Sequence, residues 1–195
     1  MLPIKDTALQ KADLVKVFNS CRIDDDCGDD VDLVTKSILL HKDLYQQVQD
    51  KTTVPWYVVG IIHNMECSLN FKLGLHCGSP WNKVTHDVPK GRGPFNSWLD
   101  AAIDALHIDG LDKVVKWDLA TTLYEILKFN GLGCYVGAGI HSTPPYRSAY
   151  LWSFTDAYEK GKYVADGSWD PYAESDQVGA AAILLDLINQ KLVSF

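Results

Sequence analysis

One apolar segment that ends in a carboxylate constrains the fold of this chain more than any other feature. A nearly continuous run of apolar residues leads directly to Glu66. A run of this length between turn signals predicts a helix over about 55–66 that packs into a core. Pro55 suits the first turn of that helix, and Thr52 and Thr53 are the expected caps. The helix should therefore deliver Glu66 at its C-terminal end.

The position of Glu66 at the end of a buried helix predicts an unusual carboxyl group. A charge in such a place is costly unless it is paired or neutralised. A half-dry pocket raises the pKa of a carboxyl, which can then hold a proton near neutrality. A general acid in glycoside cleavage needs this property. The alternative is an ordinary solvated residue at a helix end.

The rest of the chain alternates helical patterns with one irregular segment. Residues 72–96 are rich in glycine and proline, which predicts an irregular lobe or a small β-hairpin. Helical spacing of apolar residues recurs at 6–20, 31–50, 98–106, 111–115, 119–129, 148–160 and 175–192. Residues 21–30 and 131–147 read as loops. The pattern predicts a mainly α (α+β) protein with a single domain over residues 1–195.

Three segments resemble the lysozyme-like superfamily. Residues 66–71, Glu-Cys-Ser-Leu-Asn-Phe, resemble the Glu-Ser-x-Phe signature of lytic transglycosylases and goose-type lysozymes, although Ser and Phe follow Glu two and five positions later instead of one and three. Residues 129–135 resemble the family's Tyr-Asn-x-Gly loop. Residues 150–158 resemble a later segment in which a tyrosine reaches the catalytic glutamate. The entire chain also resembles uncharacterised phage-type proteins of the same superfamily, especially through residues 54–57 and 162–167.

This resemblance implies a lysozyme-like helical domain with a small lobe after the catalytic helix. It implies cleavage of the β-1,4 bond between N-acetylmuramic acid and N-acetylglucosamine, with Glu66 as the general acid and no cofactor. Tyr158 is the expected tyrosine near the acid, with Tyr150 and Tyr163 as rivals. The residues expected to contact the substrate are His63, Ser68, His76, Arg92, Asn130, Gly131, Tyr135, Tyr146, Trp152 and Tyr158.

A second carboxylate decides how the bond is broken. Asp87 lies in the irregular segment, where lysozymes keep theirs, and is the expected catalytic partner of Glu66; Asp100 and Asp104 are alternatives. Lytic transglycosylases lack this group and use an oxygen of the substrate as the nucleophile. That mechanism, with 1,6-anhydro products, is the main alternative to hydrolysis.

Composition and charge restrict the possible partners. The 195 residues carry a net charge of −7, which argues against nucleic acid because phosphate binding needs clustered Lys and Arg. No apolar run approaches the ~20 residues of a membrane span, and the N-terminus lacks the features of a signal peptide. We therefore expect a monomer that is made in the cytoplasm, does not insert stably into membranes, and acts on the glycan strands of peptidoglycan after release, as phage endolysins do.

Two alternatives come from other classes of protein. His63 and Glu66 share a helical face, and with His76, Cys77 or His86 they could bind zinc, although no paired motif is present. Six tryptophans and an aromatic content of 11% would also suit a non-catalytic glycan-binding module. The odd number of cysteines, five, predicts free thiols. Cys21 and Cys27 are the pair close enough in sequence to form a disulfide.

Overall fold

A computed structural model describes residues 7–131, 147–165 and 168–195. These residues are mainly helical with a small antiparallel sheet, as the sequence predicts. The helices are α1 (Thr7–Ser20), α2 (Gly28–Leu40), α3 (Lys42–Thr52), α4 (Trp56–Cys67), α5 (Trp98–Ile108), α6 (Leu119–Phe129), α7 (Ala149–Trp152) and α8 (Ala180–Asn189), with single 3₁₀ turns at Asp25–Cys27 and Leu111–Lys113. In the described part of the chain, no helix is both long enough and apolar enough to cross a membrane.

The chain divides into two compact units, which we name by their place in the sequence. The terminal unit comprises Met1–Leu33 and Asp118–Phe195, and the central unit comprises Val34–Trp117. The expectation of one lysozyme-like domain over residues 1–195 stays a prediction.

Helix α4 forms the core of the central unit. All of its residues except Glu66 are buried, and α3 packs against both α4 and α5. Gly60 allows this packing, because a Cβ there would lie 2.6 Å from Ile38 Cγ2 and 3.2 Å from Tyr45 Cε2. The predicted helix over about 55–66 is confirmed. It is buried because a helix that is apolar on all sides is stable only when it is buried on all sides.

The predicted caps of α4 are wrong. Pro55 is the N-cap residue and makes no side-chain cap. The first amide of the helix, on Trp56, donates instead to Oε1 of Gln49 at 2.7 Å. Thr53 closes the preceding helix in a left-handed conformation with φ 64°, and the Thr52 hydroxyl donates back to α3. The side-chain amide of Gln49 in the preceding helix therefore replaces the adjacent hydroxyl cap.

The terminal unit is built around α6. This helix packs against α1 and α7, and α7 also packs against α8. The Asp118 side chain caps α6 by accepting from the amide of Thr121 at 2.9 Å, and the Thr121 hydroxyl accepts from Lys11 Nζ at 3.0 Å. The predicted bounds of this helix, 119–129, are confirmed.

Two helical predictions in the terminal unit are too long. Within 148–160 only Ala149–Trp152 is α-helical, because the chain turns at Phe154, which has φ 66°. Within 175–192 the helix begins only at Ala180. A Cβ at Gly179 would lie 2.6 Å from the carbonyl oxygen of Ser153, so these two stretches approach each other by their backbones.

The sheet is a hairpin of β1 (Lys162–Ala165) and β2 (Ser168–Asp170). Tyr163 pairs with Trp169, and the register is irregular between Tyr163 and Ala165. This hairpin lies outside residues 72–96, the irregular segment for which a small hairpin was one prediction. Residues 72–96, all of which are described, form no strand and contain only an isolated bridge between Leu73 and Pro80.

Candidate active site

Glu66 is the next-to-last residue of α4 and the one residue of that helix that is not buried. The helix ends at Cys67, and the two residues after it, Ser68 and Leu69, have left-handed φ values of 48° and 58°. This conformation costs a residue with a side chain about 1–2 kcal/mol. Their amides are anchored on the helix, at Asn64 O (2.9 Å) and His63 O (3.3 Å). A strained and fixed turn therefore follows Glu66 almost directly.

A tight loop over residues 74–80 lies against this end of α4. The Cys67 thiol donates to the carbonyl oxygen of Gly74 at 3.4 Å, and a Cβ at Gly78 would lie 3.4 Å from the backbone oxygen of Glu66. Burial, reinforced by the charge of Glu66, raises the pKa of Cys67 to about 12. Glu66 thus stands where the buried helix meets the irregular segment, as the sequence predicts.

His63, one turn before Glu66, belongs to an aromatic cluster in the core. Its side chain is 0% exposed, and its Nδ1 lies 2.9 Å from the hydroxyl of Tyr45. Its ring centroid lies 4.5 Å from that of Phe71 and 4.7 Å from that of Trp98. Burial lowers the pKa of His63 to about 4, so the ring is neutral at pH 7. Of the two roles considered from sequence, cleft contact and packed core histidine, the structure favours the second.

His76 and Arg92 are bound to Asp104 of α5. His76 Nε2 lies 2.8 Å from Asp104 Oδ2 and Arg92 Nε donates to the same oxygen at 3.0 Å, while Arg92 Nη2 bonds Oδ1. Burial raises the pKa of Asp104, but the hydrogen bonds from Arg92 and His76 outweigh it and leave the pKa below its usual value. His76 also stacks on Phe95, with centroids 5.3 Å apart. Two side chains predicted to contact substrate therefore also tie the irregular segment to α5.

Asp87 lies at the exposed tip of a turn in the irregular segment. The turn is fixed by Thr85, which is 6% exposed. Its hydroxyl donates to Pro89 O at 2.5 Å and accepts from the Arg92 amide at 3.0 Å. Asp87 is therefore accessible to a large substrate on a fixed support, and its catalytic role stays a prediction.

The remaining predicted residues belong to the terminal unit. Trp152 is 3% exposed and packs in the core. The Tyr158 hydroxyl donates to the carbonyl oxygens of Gly161 (3.3 Å) and Ala173 (3.5 Å), and burial raises its pKa, so this tyrosine supports the β-hairpin. Asn130 and Gly131 are exposed at the end of α6. Two further predicted residues, Tyr135 and Tyr146, lie outside the described residues.

The residues of the zinc hypothesis do not come together. Among the described residues, no group of three or more His, Cys, Asp or Glu side chains could hold a metal ion. Cys77 donates instead to the Ser79 hydroxyl at 3.2 Å. Cys21 and Cys27 are free thiols, and burial raises the pKa of Cys21 to about 11.

Sequence reasoning missed the supports of this site. An aromatic cluster surrounds His63 and consists of Tyr45, Phe71 and Trp98. No local sequence pattern indicates this cluster beyond the apolar spacing of α3 and α5. The pairing of Asp104 with His76 joins residues 28 positions apart, and charged residues on a helix ordinarily indicate a solvated face.

No protein-family model matches the chain, and no curated protein or solved structure matches it significantly. We therefore infer the function from the residues and their geometry.

Proposed function

We propose that this protein is a peptidoglycan-degrading glycoside hydrolase with a lysozyme-like fold. It cleaves the β-1,4 bond between N-acetylmuramic acid and N-acetylglucosamine, and Glu66 is the general acid. The observation that carries the proposal is the position of Glu66, which is the one partly exposed residue of an otherwise buried helix, lies next to its last residue, and borders an irregular segment. This position joins partial desolvation to access for a polymer, which the acid of a glycosidase requires.

The chemistry assigned to Glu66 is a single proton transfer. The neutral carboxyl gives its proton to the glycosidic oxygen while the bond from that oxygen to C1 of the muramic acid breaks. Positive charge then develops on the sugar ring, and the ionised carboxylate stabilises it. The buried helix and the strained turn at Ser68 and Leu69 hold the backbone on both sides of Glu66 in one place, which supports such a transfer because positioning contributes to the rate.

Asp87 is the group that completes hydrolysis. Its carboxylate takes a proton from the water that attacks C1, and the hydrogen bonds of Thr85 anchor the turn that bears Asp87. Asp104 is less suited to this role, because both of its oxygens bind Arg92 and one also binds His76.

The second candidate function is lytic transglycosylation. The exposure of Asp87 favours it, because a solvated tip gives this carboxylate little desolvation to tune its reactivity. In this mechanism Glu66 gives its proton to the leaving oxygen, and the resulting carboxylate takes the proton of the C6 hydroxyl of the muramic acid as that oxygen attacks C1. A 1,6-anhydro ring then forms without a second carboxylate. Glu66 acts as the acid in both mechanisms.

The proposal includes the setting of the enzyme. The substrate is the glycan strand, the enzyme acts as a monomer without a cofactor, and it reaches the wall after release from the cytoplasm, as a phage endolysin does. The resemblance in residues 54–57 and 162–167 supports this phage-type assignment.

Digestion of purified peptidoglycan, with products identified by mass spectrometry, tests the proposal. Reducing-end muropeptides are expected. Anhydro-muropeptides would show that the reaction is transglycosylation and not hydrolysis. Binding without any product would indicate a glycan-binding module. In the hydrolase, Asp87→Asn should lower the rate by about 10²-fold or more, whereas Asp43→Asn, at an exposed position of α3, should leave it unchanged.

A further inference from the structure

An open pocket lies within the terminal unit, at residues of the end of α6, the start of α7, strand β1 and the segment before α8. Its volume is about 530 Å³, within the range of small-molecule sites. The lining side chains that matter most are Asn130, Tyr150, Lys162, Tyr163, Asp176 and Gln177. Of these, only Asn130 was among the residues predicted to contact substrate.

The wall of the pocket at Gln177 is fixed by serine hydroxyls. Ser153, which is 0% exposed, donates to the carbonyl oxygen of Gln177 at 2.6 Å. The amide of Gln177 donates to the hydroxyl of Ser175 at 3.3 Å. This backbone is therefore held before any ligand binds, which lowers the entropy cost of binding.

The wall at strand β1 is fixed at its start. The amide of Gly161 donates to the carbonyl oxygen of Ala173 at 2.8 Å, and the Tyr158 hydroxyl joins the same two residues. The ring of Tyr163, 43% exposed, packs edge-on against Trp169 with centroids 5.2 Å apart. An aromatic ring with open surface is thus presented by a strand that is anchored at its start.

The chemistry of the lining selects a neutral polar ligand. The two charged side chains have opposite signs, and Lys162 Nζ lies 3.8 Å from Asp176 Oδ1. The lining therefore has no net charge that would attract a phosphate or a metal ion. The other functional side chains are amides, serine hydroxyls and phenols. Amides both donate and accept hydrogen bonds, and phenol rings combine an apolar body with a polar tip. A sugar has the complementary surface, with hydroxyls at its edge and C–H groups on its faces.

We propose that this pocket binds an N-acetylated amino sugar and holds a glycan chain without using the Glu66 carboxyl. The acetamido group has one N–H and one carbonyl oxygen, which match the amides of Asn130 and Gln177, and Tyr163 offers its ring to the face of the sugar. The choice of an amino sugar among sugars rests on the proposed function. The polar lining without net charge stands without it.

Calorimetric titration with tri-N-acetylchitotriose tests the proposal. The titrated protein is the full chain carrying Glu66→Gln, so that the probe stays intact. Gln177→Ala and Tyr163→Ala, each added to this background, should raise the dissociation constant about tenfold or more, the effect of one lost hydrogen bond or ring contact. Tyr172→Ala is the matched control, because Tyr172 is 77% exposed in the same unit and is not among the lining residues.

Each outcome bears on the pocket separately from the enzyme. Unchanged affinity in both folded pocket variants, or no binding by the starting protein, overturns the proposal even if Glu66→Gln abolishes digestion. Equal affinity for maltotriose, which has no acetamido groups, overturns the assignment to amino sugars. Weakened binding in Gln177→Ala, with an unchanged melting temperature, supports the pocket even if peptidoglycan is not cleaved.

Discussion

The two units fix their irregular segments by different chemistry. In the central unit, an ion cluster is added to neutral hydrogen bonds such as those of Thr85, as Asp104 binds Arg92 and His76. In the terminal unit, neutral hydrogen bonds do it, as the Ser153 hydroxyl holds the carbonyl of Gln177. In the central unit, Arg92 and His76 both bind Asp104. This unit presents Glu66 near the end of α4, which suits chemistry at one atom. The terminal unit has amides and phenols among the residues that line an open pocket, which suits binding.

The largest expected effect on stability is a pH dependence of the central unit that comes from His63. Its pKa is about 4 in the folded protein and about 6.5 in the unfolded chain. The unfolded state therefore binds the proton first, and stability is complete above about pH 6.5 and falls between about pH 6.5 and 4 by roughly 3 kcal/mol. Chemical unfolding across this range measures the slope.

The matched variant for this prediction is His63→Leu. It should be less stable at pH 7, because the Tyr45 hydroxyl loses its partner, but its stability should change less between pH 6.5 and 4. The lowered pKa of Asp104 contributes stability that is lost only below its unfolded value of about 3.9, so the two windows are separate. An equal slope in wild type and His63→Leu would show that His63 is not the titrating group.

A smaller loss is expected when the charged anchor of the central unit is removed. Asp104→Asn leaves Arg92 and His76 without their shared carboxylate and should lower the free energy of unfolding by about 2 kcal/mol. Asp100→Asn, at an exposed position on the same helix, should cost about 0.5 kcal/mol or less. Denaturant titration compares the two variants. Equal losses would mean that the ion cluster does not hold the irregular segment.

The smallest effect belongs to the neutral anchor of the terminal unit. Ser153→Ala removes the donor to Gln177 and should cost about 1 kcal/mol. Added salt should not change this cost, whereas it should reduce the cost of Asp104→Asn, because Asp104 and Arg92 are partly exposed. Melting curves of both variants at low and high salt measure the difference. A salt-dependent loss in Ser153→Ala would remove the contrast between the units.

Local signals explain which parts of the fold the sequence predicts. The apolar run before Glu66 predicts α4, because a helix made almost wholly of apolar residues must be buried. The bounds of α6 follow from Asp118 at its start and from Asn130 and Gly131 at its end. In each case a few neighbouring residues contain the whole signal, and the position of Glu66 follows from them.

Long-range contacts explain what the sequence does not predict. The segment over 148–160 has helical spacing, but Phe154 adopts a left-handed conformation and ends the α-helix after one turn. The ion cluster joins Asp104 to His76 and Arg92, residues that no periodic pattern connects. The pocket likewise gathers residues from four stretches of the terminal unit, and only the fold brings them together.

The measurement that tests the central claim most directly is the rate of muropeptide release from purified peptidoglycan by wild type and Glu66→Gln at equal concentration. Glu174→Gln, at an exposed position, is the matched control. If Glu66 is the general acid, its variant should lose about 10²–10⁴-fold in rate and keep its melting temperature, while the control keeps both. Release at the wild-type rate by folded Glu66→Gln, or no release by wild type, would contradict the assignment.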